Sequence, residues 1–156
     1  MLGGRPWCQV FRCCEFYYSH KTCAGWGTTA EGGQASDVLK ETKQTILANT
    51  DEKCVRGSNQ RGSVKNTKMC GYRYGTDSCQ GDSGGPLVVE ENGRFVVVGV
   101  VSYGIGCARS GYAGVYARVT NYLDWINSNI AVSMKLIKEC EEKNCSFRTD
   151  GVQVIP

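Results

Sequence analysis

In the run Asp77-Ser78-Cys79-Gln80-Gly81-Asp82-Ser83-Gly84-Gly85-Pro86, a serine follows one aspartate directly and precedes two glycines, with a second aspartate six positions upstream. A serine hydroxyl is a weak nucleophile. To attack a carbonyl it needs an open turn, a neighbouring base and N–H donors for the oxyanion that develops. Gly81, Gly84 and Gly85 suit such a turn, because residues without Cβ bend tightly and let a ligand come close to the backbone. The run therefore points to acyl transfer with Ser83 as nucleophile. Candidates for the base are few: His20, in Tyr18-Ser19-His20-Lys21, is the only histidine, and no aspartate precedes Asp37. Without a base in hydrogen-bond reach, Ser83 stays protonated and unreactive.

The elements that must hold this loop read as β-rich. At 156 residues the chain can form one domain with a core. Its net charge of +3, without dense Lys/Arg stripes, argues against a nucleic-acid partner. The longest apolar run, Phe95 to Val101, is far short of the ~18–20 residues of a membrane span and reads as a buried strand. Short apolar stretches separated by Gly, Asn, Asp and Ser begin at Thr22. Val38 to Ala48 and Gly114 to Val119 read as strands. Leu87 to Val98 reads as a hairpin around Asn92-Gly93, a pair that tolerates the positive φ angles of a type I′ turn. Leu123, Ile126 and Ile130 recur at helical spacing beside Trp125, which predicts a helix near 120–130. The expected organisation is an atypical segment over 1–21, a β domain over 22–131 and a charged tail over 132–156. Asn144-Cys145-Ser146 in that tail is formally an N-glycosylation acceptor. Ten cysteines, scattered rather than grouped as C-x-x-C, fit an oxidising compartment better than a metal site. Met1 to Pro6 lacks the apolar core of a secretory signal, so a chain cut from a longer precursor, or an incomplete one, is expected.

Beyond the loop, Gly25-Trp26-Gly27, Val101-Ser102-Tyr103-Gly104, Ala113-Gly114-Val115-Tyr116-Ala117-Arg118-Val119-Thr120 and the helix with Trp125 complete a set of separate motifs. From about Thr22 to Ile130 the chain resembles the chymotrypsin/trypsin-like serine proteases. That resemblance implies an all-β fold: the second antiparallel barrel of a two-barrel protease, here incomplete, followed by a C-terminal α-helix. It implies Ser83 as nucleophile and the N–H groups of Gly81 and Ser83 as the oxyanion hole. Asp77 matches the carboxylate at the floor of the primary specificity pocket, and Gly104 and Gly114 match its walls, which together imply cleavage after Arg or Lys. Ser102-Tyr103-Gly104 would pair with substrate as a strand edge, with Tyr103 where tryptophan is more usual. For Asp82 the resemblance implies a salt bridge to an α-amino terminus freed by activation cleavage. A turn carboxylate bonded to nearby backbone fits the residues equally well.

The resemblance also implies disulfides Cys54–Cys70 and Cys79–Cys107. A third bridge of the family would end at residue 89, which is Val89 here, and leaves Cys23 unassigned with Cys8, Cys13, Cys14, Cys140 and Cys145. No cofactor or metal is implied, the partners are protein or peptide substrates carrying Arg or Lys, and the location is extracellular. The catalytic His and Asp motifs of the family's first barrel are absent. Three expectations therefore stand: an endopeptidase whose N-terminal half lies elsewhere, a non-catalytic binding module, or a truncated product. In each, the 156 residues alone hydrolyse little or nothing.

Overall fold

The computed structural model describes residues 20–131. Six strands form one sheet: β1 (His20–Gly25), β2 (Lys40–Leu47), β3 (Lys68–Tyr72), β4 (Pro86–Glu91), β5 (Arg94–Tyr103) and β6 (Gly114–Arg118). Their order is β1-β2-β3-β6-β5-β4, every pairing is antiparallel, and the sheet closes on itself. The closing seam pairs Thr22 with Val88 and Cys23 with Leu87. The barrel foreseen from the sequence is thus present, and its ring of six strands is whole rather than incomplete. Closure gives every strand of the described ring a neighbour on each side over part of its length, so none of them is an edge strand throughout.

Local sequence explains the pieces. Asn92 and Gly93 take φ of 51° and 73°, the two positive angles that a two-residue type I′ turn requires between β4 and β5. Leu87, Val89, Val98 and Val101 point inward and meet Cys23, Ile46, Met69 and Tyr116 in the main core. A second cluster of Cys54, Val64, Cys70, Ala113 and Val115 lies beneath the short helix α1 (Glu52–Ser58). Asp51 caps α1 by accepting from Lys53 N at 2.8 Å, and Asn59 ends it in the left-handed region at φ 53°. Gly57 is required where α1 meets the approach to β6: a Cβ there would stand 1.9 Å from the Ala113 carbonyl oxygen.

The barrel interior is not wholly apolar. Lys21 and Gln44 face each other across β1 and β2, and both are buried. Burial lowers the Lys21 pKa, because desolvation disfavours its charged form. Gln44 donates to the Thr76 carbonyl at 3.3 Å, while its Oε1 meets no donor. A 3₁₀ turn over Val119–Asn121 ends the barrel unit. The helix expected near 120–130 is present as α2, helical over 123–131, in a separate unit that starts at Tyr122. Within it, Ser128 Oγ and Asn129 Nδ2 donate back to the carbonyls of Asp124 and Trp125 at 2.8 and 2.7 Å. The segment before residue 20 and the charged tail, with Cys8, Cys13, Cys14, Cys140, Cys145 and Asn144, lie outside the described residues.

Candidate active site

Ser83 sits in the connection from β3 to β4, and its neighbours are fixed by backbone bonds to two other segments. Gly84 N donates to the Val101 carbonyl and Val101 N to the Gly85 carbonyl, both at 2.9 Å, which joins the loop to β5. Thr28 N donates to the Gln80 carbonyl at 2.8 Å, which joins it to the loop after β1. Inside the loop, Asp82 N reaches the Cys79 carbonyl at 3.0 Å and Gly85 N the Asp82 carbonyl at 2.9 Å. The turn runs through Gly81 at φ 94° and Gly84 at φ 83°, angles that a residue with a Cβ resists. Ser83 is exposed at the top of this turn. No acceptor among the described residues takes the N–H of Gly81 or of Ser83, so both amides remain free to donate.

Beside Ser83 opens a cavity of about 270 Å³. Asp77, Ser102, Tyr103, Gly104 and Gly114 line it together with Ser83. Asp77 Oδ1 accepts from Ser78 N at 2.9 Å and Oδ2 from Ala108 N at 3.1 Å. A Cβ on Gly114 would stand 2.8 Å from Asp77 Oδ1, so only glycine leaves the carboxylate its place. A Cβ on Gly104 would come within 3.7 Å of Gly114 Cα, so the two glycines are neighbours in the cavity lining. Burial pushes the Asp77 pKa up. The Ala108 and Ser78 amides oppose that shift, and the nearby Asp82 charge adds to it.

Asp82 points the other way. Its Oδ1 accepts from Gly27 N at 2.8 Å and its Oδ2 from Cys79 N at 2.9 Å. A Cβ on Gly25 or Gly27 would fall 2.1 or 2.5 Å from the Asp82 carboxyl, which is why Gly25-Trp26-Gly27 has its glycines. Here Asp82 lines a second cavity of about 350 Å³, between the loop and the end of β1, that Ser83 does not touch.

Two disulfides tie these parts together. Cys79–Cys107, with Cα atoms 5.3 Å apart, stands between the two cavities and lines both. Cys54–Cys70, at 5.5 Å, joins α1 to β3. Among the described residues Cys23 is the one cysteine outside a bridge, and it is buried. Opposite it in the seam stands Leu87, with Val89 two residues on. Burial and the charges of Asp82 and Asp77 push its thiol up to about 11, so it stays protonated and inert.

His20 opens β1 opposite Thr45. The seam pairs Thr22 with Val88, so two residues further along an antiparallel ladder the His20 backbone is level with Glu90. That is the far end of β4 from the Ser83 loop, roughly 13 Å along the strand from Pro86. The site has further members that the motifs did not single out. Ser78 Oγ lies 3.3 Å from Tyr116 Oη beneath the cavity, Gln80 lines its rim, and Lys68 reaches Tyr103. Glu31 and Arg109 form an ion pair between the loop after β1 and the loop before β6, with Arg109 Nε donating to Glu31 Oε2 at 2.9 Å. Position next to Asp77 could have flagged Ser78; nothing in the local pattern marks Lys68, Glu31 or Arg109.

A closed six-stranded antiparallel barrel that presents an exposed serine on a glycine turn, beside a cavity with a carboxylate in its lining, defines the class of fold and site. Comparison with protein families matches residues 18–126 to the family described as Trypsin. The chain belongs to the trypsin family of serine proteases. It is 45% identical over 107 residues to Trypsin-1 of Astacus astacus, covering 67% of this chain and 44% of that protein. It is 48% identical over 112 residues to the venom serine protease Bi-VSP of Bombus ignitus, covering 70% of this chain and 31% of that one. The chain thus spans less than half the length of these curated relatives.

Proposed function

We propose that the chain carries the nucleophile and the specificity cavity of a serine endopeptidase that cleaves after Arg or Lys, and that the base comes from outside these 156 residues. One observation carries the reading: a half-buried Asp77 carboxylate lines a cavity together with Ser83 and the neighbouring glycines Gly104 and Gly114. A guanidinium or ammonium entering there would replace lost solvation with a charge-assisted bond. Seated so, a substrate would bring the carbonyl after its basic residue to Ser83. Attack by Oγ on the carbonyl carbon would place the oxyanion before the free N–H groups of Gly81 and Ser83, a pairing worth about 10²–10³ in rate per donor. Asp82 would hold the loop in shape through the Gly27 and Cys79 amides. The two disulfides suit an extracellular compartment.

The proton on Ser83 Oγ needs an acceptor, and the register of β1 puts the His20 backbone at the wrong end of β4. For the Ser-His-Asp triad of this family, loss of a member leaves about 10³–10⁴-fold over water, a figure that belongs to the family rather than to this chain. Alone, the chain is therefore a binding half without the reaction. Fluorophosphonate labelling read by intact mass, with Ser83→Ala as control, tests this. A folded sample is expected to show no fast label that depends on Ser83. Rapid labelling lost in Ser83→Ala would mean that a base does reach the serine, and would overturn the inactivity of the isolated chain.

A further inference from the structure

Lys68 opens β3 and Tyr103 closes β5, and the two meet at the rim of the Ser83 cavity. Lys68 Nζ donates to Tyr103 Oη at 2.9 Å and lies 4.5 Å from the centre of the ring. An ammonium has three donors, so one bond to a phenol leaves capacity to spare. No carboxylate among the described residues pairs with Lys68, although Arg56 and Arg109 both have one. Lys68 also belongs to a segregated stretch: residues 53–76 hold Lys53, Arg56, Arg61, Lys65, Lys68 and Arg73 and no Asp or Glu. That stretch carries +6 in a chain of net +3, which leaves −3 for the rest. Lys68 is the cation of this stretch that touches a cavity-lining residue, Tyr103.

We propose that Lys68, held on Tyr103, is a specificity-determining residue that selects substrates with Asp or Glu shortly before the basic residue. The inference rests on the reading of the Asp77 cavity given above. A peptide with its Arg or Lys in that cavity and its backbone against Ser102–Gly104 passes Tyr103 as it runs back toward its N-terminus. At about 3.3 Å per residue, side chains two to four positions before the basic one come level with Lys68. The substrate class is then a mixed-charge segment, acidic residues followed by Arg or Lys. Asp77 takes the cation and Lys68 takes the anion.

Binding tests this without catalysis. Fluorescein-labelled five-residue peptides ending in arginine, with the first three residues all glutamate, all glutamine or all lysine, are titrated into the chain by anisotropy. The glutamate peptide is expected to bind about three- to fivefold tighter than the glutamine peptide, the range of an exposed ion pair. In Lys68→Glu the order should reverse, with the lysine peptide tightest. A merely structural role for Lys68 would weaken all three alike. A melting curve shows that each variant is folded, and Lys68→Gln should erase the preference without reversing it. Equal binding of the glutamate and glutamine peptides overturns the inference. So does a glutamate preference that survives Lys68→Glu. The glutamine peptide ending in glutamine instead of arginine separates the two readings. If it binds more weakly than its arginine counterpart, the Asp77 cavity stands whatever Lys68 does. If it binds as well, the cavity reading fails and takes this inference with it.

Discussion

The Cys79–Cys107 bridge lines two cavities; Asp77 borders both, Asp82 only the one away from Ser83, and the two carboxylates are held differently. Asp82, on the side away from Ser83, is bonded through both oxygens to amides of two different segments, Gly27 and Cys79. Asp77, the one of the two that also lines the Ser83 cavity, accepts two amides as well, yet burial still raises its pKa. Two backbone bonds satisfy one aspartate as a joint in the fold. At Asp77 they fix the direction of a carboxylate whose pKa burial still raises. On the proposed reading, two aspartates five residues apart divide the work of holding the loop and receiving a basic side chain.

Breaking the wall between the two sides should have the largest effect. Replacing both Cys79 and Cys107 by alanine opens a link of sequence separation 28, which on the chain-entropy model costs about 3–4 kcal/mol. Urea unfolding should record that loss, together with weaker binding of a benzamidinium probe on the Ser83 side. Unchanged binding would mean that each cavity keeps its shape without the bridge.

Next comes Asp82→Ala. It orphans the Gly27 and Cys79 amides, and at about 1–3 kcal/mol per unsatisfied donor the melting temperature should fall by many degrees. A variant as stable as the parent would remove Asp82 from its place as a joint. Gly114→Ala sharpens the contrast from the other side. The new Cβ displaces Asp77 Oδ1 and should cost about tenfold in benzamidinium affinity, roughly 1.4 kcal/mol, with a smaller change in stability.

The smallest effect is in pH. A raised carboxyl pKa means that Asp77 ionises only above the ordinary aspartate value of about 4, and only the ionised form attracts a cation. Benzamidinium affinity should fall as pH drops, with a midpoint above that value. For the empty protein the sign is reversed: the stability that Asp77 contributes when protonated is lost as pH rises through its raised pKa. A titration of binding and of melting temperature should therefore move in opposite directions over the same window. Parallel movement would mean that another group governs one of them.

Some of this was legible in the sequence, and the reasons differ by residue. Asn92-Gly93 gives its turn because the positive φ angles are a property of two adjacent residues. The loop from Asp77 to Pro86 and the separate motifs gave the family, which residues 18–126 bear out. Strand β3 escaped because Lys68–Tyr72 is short and buried through its middle, so it shows no alternation. Helix α1 escaped because it has seven residues, one of them Gly57, and owes its place to packing on the approach to β6. Closure of the ring depends on a pairing between β1 and β4, some 65 residues apart (Cys23 with Leu87 is a separation of 64), which no local pattern encodes. Tyr103 was read as an altered strand edge. Its partner Lys68 lies 35 residues away and could only be found in three dimensions.

Benzamidinium binding to the folded chain, with Asp77→Asn measured alongside, tests the central claim most directly. The account predicts measurable binding to the parent and a loss of at least about tenfold in Asp77→Asn, since a charge-assisted bond exceeds a neutral one by about 1–2 kcal/mol. Equal affinity for the two proteins, both shown to be folded, would contradict it: the cavity beside Ser83 would then not be a site for basic side chains.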